Sequence, residues 1–227
     1  MRRNPQRGFS LLETVLAIGV ILFGVISIMT LSTTSFVSGQ IMSNEFVAAN
    51  LAREGMEMVR GHRDTNWLRI DSNEVIVWNE GLFEESLGVY DYSGVATGAL
   101  AIRPYPAVLF DVDAFDQLCN GAGGSQYDCS AIWFNKQYNY YFQTISPTFD
   151  PSALMVEKTE YQRLIMLNPI CRANADETDE QVITAGTCAG LGAYSQAGID
   201  VIVEVRYPGK GERLSYTLEE HIYDWKY

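Results

Sequence analysis

A long apolar run near the start of the chain is followed by an amphipathic stretch. The run Leu11–Leu31 is almost wholly apolar or small, and Glu13 is its only charged residue. Because about 20 apolar residues let a helix cross the core of a bilayer, the run predicts a transmembrane helix over about residues 9–31. A charge inside such a span is costly, so Glu13 needs an explanation. On physical grounds alone, a membrane anchor whose glutamate reaches the interface also fits the run.

Beyond the run, apolar residues recur at three- and four-residue spacings with polar or charged residues between them. These apolar positions are Phe36, Val37, Ile41, Met42, Phe46, Val47, Ala49, Leu51, Met56, Met58 and Val59. The pattern is typical of an amphipathic helix. It predicts one helix over residues 9–63, roughly 80 Å long, whose second half packs under a globular domain. Asp64, Thr65 and Asn66 are predicted to end it.

After Trp67 the pattern changes to short segments rich in β-branched and aromatic residues, as expected for strands. The candidate strands are Glu74–Trp78, Gly88–Tyr92, Ala107–Val112, Tyr138–Ile145 and Tyr161–Leu167. The clearest signal is Ile199–Tyr223, where apolar and polar residues alternate on both sides of the turn Pro208–Gly211. This alternation predicts a β-hairpin. The predicted loops are Gly94–Gly98, Asn120–Gln126 and Asn168–Gly198.

These elements together predict the fold class. An antiparallel sheet with one face on the amphipathic half of the helix is an α+β arrangement. The part of the chain after the helix, residues 64–227, has on the order of 160 residues, which suits one compact domain. The sequence therefore predicts a long N-terminal α-helix packed against a C-terminal antiparallel β-sheet.

Four cysteines occur in the predicted domain and indicate an oxidising compartment. Four cysteines allow three pairings. The pairs Cys119–Cys129 and Cys171–Cys188 are favoured because each brackets a glycine-rich or polar loop that a bridge would fix. Four free thiols in a reducing compartment are the alternative. Zinc is disfavoured because neither pair has CxxC spacing and the histidines are distant in sequence.

The charge of the chain argues against one class of partner. The sequence has 16 basic and 28 acidic side chains, for a formal net charge of −12. Nucleic acid is not an expected partner, because domains that bind it present a basic patch and no basic cluster occurs beyond Arg53–Arg69. Arg2, Arg3 and Arg7 precede the apolar run. The positive-inside rule then predicts that the N-terminus is cytoplasmic and the domain lies outside.

The N-terminal residues combine four features. They are a short basic segment, Gly8 before the aromatic Phe9, Glu13 at a fixed offset, and a hydrophobic run that contains this glutamate. The combination resembles the class III signal of type IV prepilins and of the pseudopilins of type II secretion. In a secretory signal peptide the cleavage site follows the apolar region, whereas Gly8 precedes it here. The helix that continues from Leu12 looks closest to minor pilins and minor pseudopilins.

The resemblance implies a processing event and an assembly contact. A prepilin peptidase would remove the leader, residues 1–8, between Gly8 and Phe9 and then methylate the amine of Phe9. Glu13, fifth in the mature chain, would pair with the N-terminal amine of a neighbouring subunit. Loss of the three leader arginines would take the net charge from −12 to −15. Many type IV pilins carry a proline midway along this helix, and this chain has none between residues 9 and 103.

The resemblance also implies the pilin fold and a structural function. The chain would be a minor pilin of a type IV pilus or related filament, assembled through its hydrophobic helix. Its implied partners are the prepilin peptidase, other pilin or pseudopilin subunits, the inner-membrane assembly platform and the lipid bilayer. The implied location is the inner membrane before assembly and an extracellular or periplasmic filament afterwards.

Two other functions remain open at this point. Within the family, the alternative is a minor pseudopilin of a type II secretion system, which would have the same helix and fold. The alternative of another class is a binding module, either a tip adhesin or a DNA-uptake pilin. The acidic charge disfavours DNA uptake, because DNA binding calls for an exposed basic stripe.

Signals for other chemistry are weak. Asp111, Asp113 and Asp116 have part of a calcium-ligand spacing but lack the glycine and terminal glutamate of an EF-hand. Asp176–Glu180 is a second acidic loop, and solvated loop acids are the favoured interpretation of both. The aromatic cluster Tyr138–Phe142 favours strand packing over ligand stacking. Two distant histidines provide no catalytic constellation. We therefore expect no cofactor and no enzymatic activity.

Overall fold

The protein is represented by a computed structural model that describes residues 10–80, 82, 118–120, 126–143, 150, 155–175, 178–183 and 188–224. The chain divides into two compact units, Met1–Ser43 and Asn44–Tyr227. The second unit begins within the helix and contains the β-sheet. Three predicted features lie outside the described residues: the strands Gly88–Tyr92 and Ala107–Val112 and the loop Gly94–Gly98.

One uninterrupted helix, α1, covers Leu11–Asp71. The predicted continuous helix is confirmed, but it ends at Asp71 instead of near Arg63. The helix continues because the turn expected to stop it is held by the domain. Asn66 and Trp67 are buried, and the side-chain amide of Asn66 donates to the backbone carbonyls of Trp78 and Glu80 at 3.1 and 2.8 Å.

The C-terminus of α1 is closed by a Schellman motif. Asn73 has a positive φ of 67°, a conformation that asparagine tolerates better than most residues. The backbone N–H of Glu74 donates to the carbonyl of Arg69 at 3.1 Å, and that of Asn73 donates to Ile70 at 3.0 Å. The side chains of Arg69 and Glu74 also form an ion pair, with an N–O distance of 2.8 Å.

The predicted strand Glu74–Trp78 is wrong. Residues 74–77 form an irregular connection, Trp78 lies in a turn, and none of them pairs with a strand in the described structure. Val75 and Val77, whose β-branching suggested a strand, are exposed at 103% and 58%. Strand propensity gains stability only where a sheet face is available to bury the side chains. No such face covers this connection among the described residues.

Eight strands are described. They are β1 Leu118–Asn120, β2 Gln126–Asp128, β3 Ala131–Asn135, β4 Tyr140–Phe142, β5 Val156–Ala173, β6 Glu180–Val182, β7 Tyr194–Pro208 and β8 Arg213–Tyr223. β1 and β2 form a two-stranded sheet. The main sheet has the order β4-β3-β5-β7-β8, and β6 pairs with β5. All its pairings are antiparallel, so the α+β fold class expected from the sequence is confirmed.

The predicted hairpin is confirmed as β7 and β8. Their pairing runs from Gly198↔Tyr223 to Pro208↔Arg213. The N–H of Gly209 donates to the carbonyl of Glu212 at 2.9 Å and closes the turn. Gly211 has a φ of 85°, which requires glycine in practice.

The bounds of two other predicted elements differ from those in the structure. The predicted loop Asn168–Gly198 is strand at both ends, because Ala173 on β5 pairs with Tyr194 on β7. The predicted strand Tyr138–Ile145 is described only as far as residue 143, and within that part the strand is limited to the three residues of β4. A turn precedes β4 because the side-chain oxygen of Asn135 accepts hydrogen bonds from the N–H groups of Gln137 and Tyr138, at 2.9 and 3.0 Å.

The core of the second unit lies between α1 and one face of the sheet. Four alternate residues of β7, Ile199, Val201, Val203 and Val205, are fully buried, as expected for a strand with one covered face. Gly55 of α1 makes the close approach possible. A Cβ at this position would lie 3.0 Å from Cγ1 of Val203 and 3.3 Å from Cδ1 of Ile165.

Candidate functional site

The N-terminal part of α1, residues 11–43, presents an apolar surface that the rest of the described chain does not cover. Its large exposed side chains are Leu11, Leu12, Val15, Leu16, Ile18, Val20, Ile21, Leu22, Phe23, Val25, Ile26, Ile28, Met29, Leu31, Phe36 and Met42. By length and composition, α1 is the one helix among the described residues that can cross a membrane. We call residues 11–43 the apolar segment.

Several polar side chains of the apolar segment are suited to a medium without water. The hydroxyls of Ser27, Thr30, Thr33 and Thr34 each donate to a backbone carbonyl three or four residues earlier, at 2.8 to 3.1 Å. Lipid offers no partner to a polar group, so such groups have to be satisfied within the helix. These four side chains therefore add little to the cost of placing the segment in a bilayer.

Glu13 is the only charged residue of the apolar segment. It lies in the first turn of α1, where its N–H donates to the carbonyl of Ser10 at 2.9 Å. A carboxylate at this end of a helix interacts favourably with the helix dipole. Within the described part of the chain, no cation pairs with the Glu13 carboxylate. Gly8 and Phe9, the predicted cleavage pair, lie outside the described residues.

Three glycines, Gly19, Gly24 and Gly39, lie in the apolar segment, and nothing among the described residues packs against any of them. A Cβ at Gly19 or Gly24 would meet no other atom within 4 Å. Each glycine costs a water-exposed helix about 1 kcal/mol relative to alanine. In lipid, small residues allow two helices to approach closely, so these positions suit a contact with another helix.

The Cys171–Cys188 disulfide is present, with a Cα–Cα distance of 5.4 Å. It joins the end of β5 to a short 3-10 helix, Cys188–Leu191. Cys129 is also disulfide-bonded. The side chain of Cys119 is outside the described residues, so its pairing with Cys129 stays a prediction.

Neither of the two acidic groups considered as weak calcium candidates gains support. Asp111, Asp113 and Asp116 lie outside the described residues, as do two residues of the second acidic loop. The other carboxylates of that loop have partners within the domain. Asp179 accepts a hydrogen bond from the Tyr194 hydroxyl at 2.6 Å, and Glu180 pairs with Arg172 at 2.6 Å.

The aromatic cluster lies at the outer strand of the main sheet. The ring of Tyr140 is 5.7 Å from that of Phe142, and the ring of Tyr141 is 5.0 Å from that of Phe134. Contacts at these distances are usual for packed aromatic side chains. The rings therefore pack on one another along β3 and β4.

A buried carboxylate, Asp128, organises the end of the sheet near β3. It accepts hydrogen bonds from Ser130 at 2.6 Å and from Lys158 and Gln162 at 2.8 Å. Burial raises the pKa of Asp128, but these hydrogen bonds outweigh it and hold the pKa below its ordinary value. No local sequence pattern marks this network, because Lys158 and Gln162 on β5 are 30 and 34 residues from Asp128.

Comparison with known protein families, with curated proteins and with solved structures finds no match to this chain.

Proposed function

We propose that this protein is a prepilin that matures into a minor structural subunit of a type IV pilus or a related filament. The observation that carries the proposal is the exposed apolar segment of α1 with a single carboxylate, Glu13, in its first turn. The prepilin-like residues Gly8 and Phe9 immediately before this segment give the carboxylate a chemical partner. Cleavage between them creates an ammonium group on Phe9 that the precursor lacks at this position.

The pairing of Glu13 with the amine of Phe9 gives the subunits their register. A carboxylate in lipid without a partner is unfavourable by about 2.5–3.5 kcal/mol at mid-membrane. An ammonium group in the same medium carries a comparable penalty. Subunits that bring Glu13 of one chain to Phe9 of the next satisfy both charges at once, and helix contacts through Gly19 and Gly24 stabilise that arrangement.

The proposal includes the location and the partners of the chain. Before assembly the protein is a single-pass inner-membrane protein, with a cytoplasmic leader that a prepilin peptidase removes. The assembly platform then transfers it from the bilayer into a filament of pilin or pseudopilin subunits. The acidic domain, residues 64–227, decorates or caps the fibre. A minor pseudopilin of type II secretion uses the same helix, and the genes next to this one would distinguish the two machines.

The assembly role of Glu13 is tested in the native host with Glu13→Ala. The variant is expected to lose its leader normally and to fall about tenfold or more in sheared filaments, because a tenfold change needs only 1.4 kcal/mol. Glu45→Ala is the matched control, since this carboxylate is exposed and follows the apolar segment. Immunoblots of sheared and membrane fractions measure the distribution. Equal incorporation of Glu13→Ala and the control would contradict this role.

A further inference from the structure

The β7–β8 hairpin brings three metal-ligating side chains together on one face of the sheet. Asp200 on β7 is paired directly with His221 on β8, and Ile202 is paired with Glu219. Side chains two residues apart on a strand share a face, and directly paired residues do as well. Asp200, Glu219 and His221 therefore lie side by side on the face opposite the valines that pack toward α1.

One carboxylate oxygen of Asp200 has no hydrogen-bond partner although it is buried. The residue is 3% exposed, and its Oδ2 accepts a hydrogen bond from the Asn168 amide at 3.0 Å. Its Oδ1 has no hydrogen-bond donor and lies 3.7 Å from Nε2 of His221, which is too long for a hydrogen bond. A buried polar atom of this kind requires an explanation.

The spacing of the three side chains suits a single small cation. One ligand atom from each of Asp200, Glu219 and His221 lies within 4.8 Å of the other two. Around a tetrahedral zinc ion with bonds of about 2.1 Å, ligand atoms are roughly 3.4 Å apart. Glu219 and His221 are exposed, and the His221 ring packs edge-on to the ring of Tyr223, 6.3 Å away. Asp200 is oriented by the amide of Asn168. Hydrogen-bond partners such as Asn168 commonly orient the side chains that bind a metal ion.

We propose that Asp200, Glu219 and His221 bind a divalent transition-metal ion of the zinc type. The ligand set selects the class of metal. Imidazole nitrogen suits zinc and similar ions, whereas calcium and magnesium bind almost entirely through oxygen. The ion neutralises two carboxylates and gives the buried Oδ1 of Asp200 a partner. It also ties β7 to β8 near the end of the hairpin distant from the turn. The site does not depend on the proposed filament role.

The test is calorimetric titration of the full chain with zinc chloride, in detergent, after removal of metal by a chelator and without a histidine tag. The wild type is expected to bind one zinc ion with an affinity at least about tenfold higher than for calcium or magnesium. His221→Asn and Glu219→Gln are expected to lose about tenfold or more in zinc affinity, the scale of effect seen even for residues that only support a ligand. Both side chains are exposed, so the variants should fold, and near-ultraviolet circular dichroism checks this.

His62→Asn is the matched control, because the chain has two histidines and His62 lies on α1, away from the hairpin residues in sequence. It is expected to bind zinc as the wild type does. The proposal is overturned if the folded wild type does not bind zinc at one site. It is also overturned if His221→Asn and Glu219→Gln bind as tightly as the wild type, or if His62→Asn loses affinity to the same extent as His221→Asn.

Discussion

The guanidinium of Arg163 on the central strand β5 donates a hydrogen bond of 3.0 Å to the backbone carbonyl of Leu51 on α1. Arg163 is 1% exposed, and its other contacts include Gln143 at 3.1 Å and the carboxylate of Glu54 at 3.2 Å. Burial lowers the pKa of Arg163, and the charge of Glu54 opposes that effect. One buried cation thus joins the helix to the sheet.

Replacement of Arg163 by alanine is expected to destabilise the domain by about 3 kcal/mol or more. The change leaves the Leu51 carbonyl and the Gln143 side chain without this donor in a buried site, and it opens a cavity. Arg172→Ala removes an exposed ion pair to Glu180 and should cost about 1 kcal/mol or less. Urea unfolding of the full chain in detergent, followed by tryptophan fluorescence, measures both. The signal reports on the second unit, which contains all four tryptophans. Similar costs for the two variants would contradict the role of Arg163.

Gly55 and Gly61 are both in α1, but only Gly55 is predicted to require glycine. A leucine at Gly55 would drive its Cβ to 3.0 Å from Val203, and overpacking of this kind typically costs about 1–3 kcal/mol. A Cβ at Gly61 meets no atom within 4 Å, so Gly61→Leu should stabilise the helix by up to about 1 kcal/mol. The same unfolding measurement gives the two free energies. Equal changes in the two variants would show that α1 does not approach the sheet as described.

The Asp128 carboxylate should make part of the stability of the domain depend on pH. Its pKa is lowered in the folded protein, so its contribution is complete above the unfolded value of about 3.9. The contribution is lost as pH falls through the lower folded value. The difference in Tm between the wild type and Asp128→Asn should therefore be full at pH 7 and shrink below about pH 4. Asp64→Asn, at an exposed position, serves as the control with a small difference. A difference in Tm between wild type and Asp128→Asn that grows as the pH falls would contradict a lowered pKa of Asp128 in the folded protein.

The Cys171–Cys188 disulfide should stabilise the domain by restricting the unfolded chain. The bridge closes a loop with a sequence separation of 17, for which chain entropy gives about 3 kcal/mol. The double variant Cys171→Ser/Cys188→Ser is expected to lose about this amount in urea unfolding. A reductant should then lower the stability of the double variant less than that of the wild type. An equal effect of the reductant on both proteins would contradict the contribution of this bridge.

The features that the sequence predicted correctly depend on local patterns. The hairpin follows from alternation on both sides of Pro208–Gly211, and the helix follows from a three- to four-residue period. The end of the helix was missed because the burial of Asn66 and Trp67 depends on residues after the helix. The candidate strand Tyr161–Leu167 is shorter than β5, Val156–Ala173, which also includes Pro169. In the structure Pro169 pairs with Ile199 within a long strand.

The candidate sites also divide into those that have a local signal in the sequence and those that have none. Glu13 stands out in the sequence because a lone charge in an apolar run is conspicuous without any structure. The burial of Arg163 has no local signal, since its partners come from α1 and from the segment after β4. The pairing of Asp200 with His221 could have been predicted from the sequence. Pro208 on β7 is paired with Arg213 on β8 at the turn. Counting the same number of residues away from the turn along each strand places Asp200 opposite His221.

The mature N-terminus is the most direct test of the proposed function. The protein is isolated from membranes of its native host, and its N-terminal peptide is examined by mass spectrometry, with Gly8→Leu as the variant that should resist cleavage. We predict a chain that begins at Phe9 with a methylated amine, and an uncleaved leader in Gly8→Leu. A wild-type protein that retains the leader from Met1 or Arg2 would contradict it.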